Sequence, residues 1–420
     1  MSVRRANLLA AVAAAALMAG GAAAPGFAAS MKGSAAPKTV VIGWDGSLTG
    51  GDAEGAILQQ YGAEMAVADI NAKKMLKGVT LKVMSLDDGT ATAGQYDPVQ
   101  AATNARKFVA DKTVVGIIGP QMSGAAKAMT PILSMADLAM ITPSATNPDL
   151  TNPQFKQQYD PGGKPVFFRT VATDAYQGPE MANYFAKVLK VKSVYVLDDS
   201  GAYGEGLADA FQKQAAADGI KVLGRDKLDP KAADYSAILT KIKSMSPDSL
   251  YYGGVMQAGV KLVKQSYDIL PNIIKGGGDG IQDPEMFTGA GFPAATGWYA
   301  TVASPHVNEE KSMAAWVKRY TDTYGKAPDD YAVCSYDATM ALAAAIQKVQ
   351  KEKKTIDRES VLAALPSVKI KTLQGPVSFD ANGDLEQKVI SVFQAEHNPA
   401  FPLDDLAHQY KYLGVAPQSA

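Results

Sequence analysis

From Lys38 onward, short apolar runs alternate with longer stretches in which apolar residues recur every three or four positions. The short runs Val40–Ile42, Leu81–Met84, Val114–Ile118, Leu138–Thr142, Val194–Leu197, Leu250–Tyr252 and Ile273–Lys275 read as strands. Between them Ala63, Ala66, Val67 and Ile70 share one helical face, as do Met181, Tyr184, Phe185 and Val188. Leu207, Ala210, Phe211 and Ala215 repeat the spacing, and so do Met313, Trp316, Val317 and Tyr320. These faces are read as core surfaces rather than cofactor boxes. Alternation of this kind predicts an α/β architecture of βαβ units around parallel sheets.

Several strands run into small or turn-forming residues, at Gly46–Gly50, Gly119–Gly124, Pro143–Thr146, Asp198–Gly201, Gly253–Gly254 and Gly276–Gly280. In a parallel sheet all of these lie at the carboxyl edge. Ligands bind there, because helix N-termini offer unpaired N–H groups and the positive end of the helix dipole. Tyr159–Pro165, with its Asp-Pro-Gly-Gly, reads as a loop near a lobe boundary.

The N-terminus changes the picture. Arg4 and Arg5 precede an apolar run from Leu8 to Ala24, followed by Pro25, Gly26, Phe27 and Ala28, the pattern of a secretory signal peptide cleaved after Ala28. The alternative, a retained membrane helix, is disfavoured because the run is mostly alanine and ends in Pro-Gly. Residues 29–37 read as a flexible leader. With no cysteine at the cleavage site to carry lipid, the expected mature protein is free in the periplasm. About 390 residues then remain, enough for two or three domains. Lys and Arg number 41 against 42 Asp and Glu, a balance that gives no footprint for nucleic acid. Cys334 is the only cysteine, so stability must come from apolar cores rather than a disulfide.

Catalytic chemistry is not legible. His306, His397 and His408 sit in no metal or triad spacing, and the chain has no G-x-S-x-G, P-loop or H-E-x-x-H. Gly276–Gly280 does not fit G-x-G-x-x-G, and Asp87-Asp88 reads better as a turn or cap than as paired catalytic carboxylates. No enzyme activity, cofactor or metal is expected.

The ordered segments Gly46-Ser-Leu-Thr-Gly50, Gly62–Asn71, Met140–Thr146, Gln177-Gly-Pro179, Tyr203–Ala208, Tyr251–Gly254, Gly375-Pro376 and Phe379–Leu385 carry a resemblance. Over nearly the whole mature length the chain resembles the periplasmic leucine/isoleucine/valine-binding proteins, which are type I periplasmic binding proteins of ABC importers. The resemblance implies two Rossmann-like lobes with central parallel sheets, joined by a three-strand hinge, closing on a ligand in the cleft. Crossovers are expected near Arg169–Asp174, Trp298–Ala303 and Leu373–Phe379. Lobe one would combine 38–171 with 302–375, and lobe two 172–301 with 376–420.

What the resemblance implies for the site is residue-specific. Ser123 and Thr146, with backbone N–H groups, would bind the α-carboxylate of an amino acid; Ser123 stands where a helix begins, which suits an anion. Asp279, the Thr146 hydroxyl and the Ser144 carbonyl would hold the ammonium. Gly55, Tyr203, Val255 and Gln121 would form the side-chain pocket. The implied partners are an amino acid and an inner-membrane ABC permease with its ATPase, the protein itself being a monomer.

Two departures weaken branched-chain specificity. Gly55 and Val255 stand where the family has aromatic walls, and the family's disulfide cysteines are absent, Met122 occupying one position. The rival ligand classes are an amine-free organic acid, such as an aromatic acid, and an amide or urea; Asp279 argues against the acid. A secreted hydrolase lacks its nucleophile motif, and a sensor module is disfavoured because no membrane segment follows Ala420.

Overall fold

The structure is a computed structural model that describes residues 38–418. The expected signal peptide and leader lie outside these residues. Two sheets organise the chain. The first runs in the order Val79–Asp87, Lys38–Gly46, Val114–Ile118, Met140–Thr142, Phe167–Arg169, with every neighbouring pair parallel. Its middle strand, Val114–Ile118, is buried along its whole length, as a strand covered by helices on both faces must be. The second sheet runs Tyr410–Val415, Ser391–Ala395, Tyr299–Val302, Ile274–Gly277, Ser249–Gly253, Ser193–Asp198, Lys221–Lys227. It is parallel except where Ser391–Ala395 pairs antiparallel with both of its neighbours.

Each sheet has its own core. In the first, Val114, Ile117, Ile118, Phe108 and Leu342 are fully or almost fully buried. In the second, Phe211 stacks on Tyr251 with ring centroids 3.6 Å apart, and Phe185 meets Phe211 edge-on at 5.4 Å. A smaller cluster joins the helices Ala53–Ala72, Ala314–Tyr324 and Asp330–Lys351 through Leu58, Met65, Trp316 and Tyr320, and the Tyr320 hydroxyl donates to the Leu58 carbonyl at 2.6 Å.

The chain passes between the cores three times. After Phe167–Arg169 it enters the second core at Val171 and Ala172, and after Tyr299–Val302 it returns to pack Ala338, Ala341 and Leu342 into the first. The third passage lies between Leu385 and Ile390. Val377, Phe379 and Leu385 still belong to the first core, and Ile390 is the first residue of this stretch in the second. The cause is a tether: the Arg169 N–H donates to the Gly383 carbonyl at 3.1 Å, and the buried Arg169 guanidinium pairs with Asp384 at 2.7 Å. No helix among the described residues is long and apolar enough to cross a membrane.

Candidate functional site

A cavity of about 50 Å³ lies between the two sheets at the carboxyl ends of their strands. Gln121, Met122 and Ser123 follow the strand Val114–Ile118, and Ser144 follows Met140–Thr142. From the other sheet come Tyr203 after Ser193–Asp198, Val255 after Ser249–Gly253, and Asp279 after Ile274–Gly277. Of the residues expected from sequence, Ser123, Ser144, Gly55, Gln121, Tyr203, Val255 and Asp279 all line this cavity.

Ser123 opens the helix Ser123–Ser134, so the N-terminal turn of that helix, whose N–H groups have no partner within the helix, begins at the cavity. Its hydroxyl accepts the Asn147 N–H at 3.2 Å. Ser144 donates from its hydroxyl to the Gln59 side chain or to the Gln121 carbonyl, both at 2.9 Å. Gln121 is held from both ends, accepting the Ser47 N–H and donating to the Asp52 carbonyl, each at 3.3 Å.

Thr146 does not line the cavity. Its hydroxyl is buried and turned toward Asp174. Arg169 explains the retreat: its guanidinium donates to the carbonyls of Ala145 and Asn147 at 3.0 and 3.2 Å, drawing the loop inward behind the wall.

Asp279 is the centre of a network. Its Oδ1 accepts from Gln177 at 2.9 Å and from the Tyr203 hydroxyl at 2.6 Å, while its Oδ2 accepts from the Tyr331 hydroxyl. Tyr331 lies at the start of the helix Asp330–Lys351 and packs in the second core, while the later turns of the same helix pack in the first. Burial raises the Asp279 pKa above the ordinary carboxylate range, and the three donors oppose that shift. Behind it, burial and then the Asp279 charge push Asp174 up to about 8. Tyr203 also accepts the Gly280 N–H at 2.9 Å, so its hydroxyl is committed within this network.

The sequence reading missed Asp52, Gln59, Gln282, Asp283, Asp329 and Tyr331, all of which line the cavity. Asp52 is two residues beyond the turn Gly46–Gly50, and Asp283 three beyond Gly276–Gly280; carrying each strand-end loop to the start of its next helix would have included both. Asp329 reads in sequence as a plain helix cap, and it is one: it accepts the Ala332 N–H at 2.6 Å. Burial, followed by the charge of Glu285, pushes Asp52 up to about 7. Burial also brings Asp329 to about 7, and burial with the Asp52 charge pushes Asp283 well up.

Asp87 and Asp88 shape a turn. Asp88 accepts from the Ser47 hydroxyl at 2.8 Å, and Asp87 from the N–H groups of Leu48 and Gly89. His306 faces Asp330, His408 faces Asp405, and His397 stacks on Phe292. Cys334 is a buried free thiol.

Comparison with known proteins places this geometry. The family model described as periplasmic binding protein matches residues 39–398. The Leu/Ile/Val-binding protein BraC3 of Rhizobium johnstonii is 33% identical over 358 residues, covering 85% of this chain and 92% of that protein. The crystal structure of the branched-chain amino acid transporter substrate-binding protein LivJ from Streptococcus pneumoniae, in complex with isoleucine, superposes with a TM-score of 0.75 at 22% identity, over 91% of this chain and 100% of that one. A solute-binding protein of an ABC transporter from R. palustris, in complex with benzoate, superposes with a TM-score of 0.74 at 21% identity, over 91% and 98%. Two sheets, three crossings, a cavity at the strand ends and a match over most of the length agree: the chain belongs to the periplasmic binding protein family.

Proposed function

We propose that this protein captures an amino acid between its two lobes in the periplasm and delivers it to an ABC importer in the inner membrane. The observation that carries the reading is the polarity of the cavity. One wall presents the N-terminal turn of Ser123–Ser134 and the Ser123 hydroxyl, which suit a carboxylate, and the other presents the Asp279 carboxylate, which suits an ammonium. A zwitterion satisfies both at once. The name of BraC3, a Leu/Ile/Val-binding protein, supports the same reading.

The amine-free acid has a neighbour in its favour, the benzoate complex, and the cavity lining against it. Asp52, Asp279, Asp283 and Asp329 line the space and no Lys, Arg or His does, so a bare carboxylate would find no cation to pair with and would add a like charge to carboxyls that burial already holds above their ordinary range.

The mechanism is lobe closure about the three crossings, with the ligand bridging the lobes. Small-angle scattering should show the radius of gyration fall when a bound amino acid is added, and a thermal-shift screen of amino acids, aromatic acids and amides should give its largest upward shift with an amino acid. A shift confined to the aromatic acids would overturn the reading.

A further inference from the structure

The half of the cavity away from Asp279 is walled by acid from both lobes. Asp52 precedes the helix Ala53–Ala72 but makes no capping hydrogen bond with its side chain; it is 2% exposed, and its Oδ2 has no hydrogen-bond partner. One turn on, Gly55 contributes no side chain, and Asp283 of the second lobe fills the place: its Oδ2 lies 2.6 Å from where a Cβ at position 55 would stand. The Asp283 Oδ1 accepts the Glu285 N–H at 2.8 Å. Asp329 adds a third carboxylate from the end of the helix Asp330–Lys351.

Nothing in the lining neutralises them. Gln121 and Gln59 are the neighbouring polar side chains; Gln121 already bonds Ser47 and Asp52 backbone, and Gln59 already accepts from Ser144. An aliphatic side chain placed here would strip water from buried carboxylates and return no donor. A metal ion does not fit, since among the described residues no group of three or more His, Cys, Asp or Glu is arranged to hold one. An ammonium or guanidinium on a flexible stem does fit: it brings several donors to a wall where the Asp52 Oδ2 has none, and a positive charge to a cluster of acidic groups.

We infer that the bound amino acid is basic, its side-chain cation lying among Asp52, Asp283 and Asp329 while its α-ammonium meets Asp279. This rests on the amino-acid reading above and narrows it to a substrate class. The absence of a side chain at Gly55 belongs to the same design, because it admits the Asp283 carboxyl to the acidic wall.

The test is calorimetric titration of the ligand-free protein with L-lysine, L-ornithine and L-arginine, against L-leucine and L-norleucine, the uncharged counterpart of lysine. At least one basic amino acid should bind at least about tenfold more tightly than norleucine. Asp52→Asn and Asp283→Asn should each lower the ratio of lysine to norleucine affinity by about tenfold. The ratio is the readout because a variant that folds or closes poorly weakens both ligands together. Norleucine or leucine binding as tightly as every basic amino acid overturns the inference and leaves the amino-acid reading standing. Binding of cadaverine, or of an aromatic acid, with no response to any amino acid overturns both.

Discussion

The two ends of the cavity hold the same chemical group under opposite terms. At one end Asp279 is buried but answered: Gln177, Tyr203 and Tyr331 all donate to it, and Gln177 is itself fixed by accepting from the Thr301 hydroxyl at 2.9 Å. At the other end Asp52 is buried and unanswered at its Oδ2, and its largest electrostatic neighbour is another carboxylate, Glu285. Burial alone therefore does not reveal what a carboxylate is for. What separates a fixed anchor from a group waiting for a ligand is whether the protein supplies the donors.

The comparison can be broken most forcefully at the answered end. Asp279→Asn removes the charge opposite the ammonium and should weaken every amino acid by about 2–5 kcal/mol, measured by calorimetry. Unchanged affinity would mean that the Asp279 network only holds the lobes together. Next comes the carboxylate side. Ser123→Ala should cost about 1.5–3 kcal/mol of binding, as loss of a hydrogen bond to a charged group does, and Thr146→Val should add little, because its hydroxyl stands behind the wall. A larger effect from Thr146→Val than from Ser123→Ala would reverse the assignment.

The smallest effect sharpens the contrast through pH. Asp52 and Asp329 are raised to about 7 by burial, and Asp174 to about 8. Carboxyls with raised folded-state values favour the folded, ligand-free form while protonated, and that contribution fades as pH climbs through those values. Asp52 faces Glu285, Asp199 and Asp88, none of which offsets the trend, and Asp88, Asp199 and Asp337, raised to about 6, add to it in the same direction. The melting temperature of the free protein should fall between about pH 5 and pH 9, and a basic ligand should reduce the fall by holding the carboxylates ionised. A free protein that gains stability over that range would contradict the raised values.

Much of the fold could be read from the chain because strands such as Val114–Ile118 are buried on both faces and therefore uniformly apolar. Lys221–Lys227 escaped because it is an edge strand carrying Lys221, Arg225, Asp226 and Lys227. Ser391–Ala395 and Tyr410–Val415 escaped because they pair antiparallel after the βαβ rhythm has ended. In the site, Ser123, Tyr203 and Asp279 were legible through strand-end loops and the family pattern. Asp52, Asp283 and Asp329 were not, since each taken alone is an ordinary acidic residue at a turn or helix start. They become one wall only when segments more than two hundred residues apart in sequence are brought together by the closing of two lobes.

The Tyr331 hydroxyl bridging to Asp279 also bears on turnover. The helix that carries Tyr331 begins in the second core and continues in the first, so this contact fixes a helix shared by both lobes using only protein atoms, while the acidic groups opposite oppose close approach of the lobes. Latch and repulsion together set how often an unloaded carrier takes the loaded shape. Any transporter that recognises that shape would meet idle carriers in proportion to it, so the strength of one phenol-to-carboxylate contact bears on how much ATP is spent moving nothing.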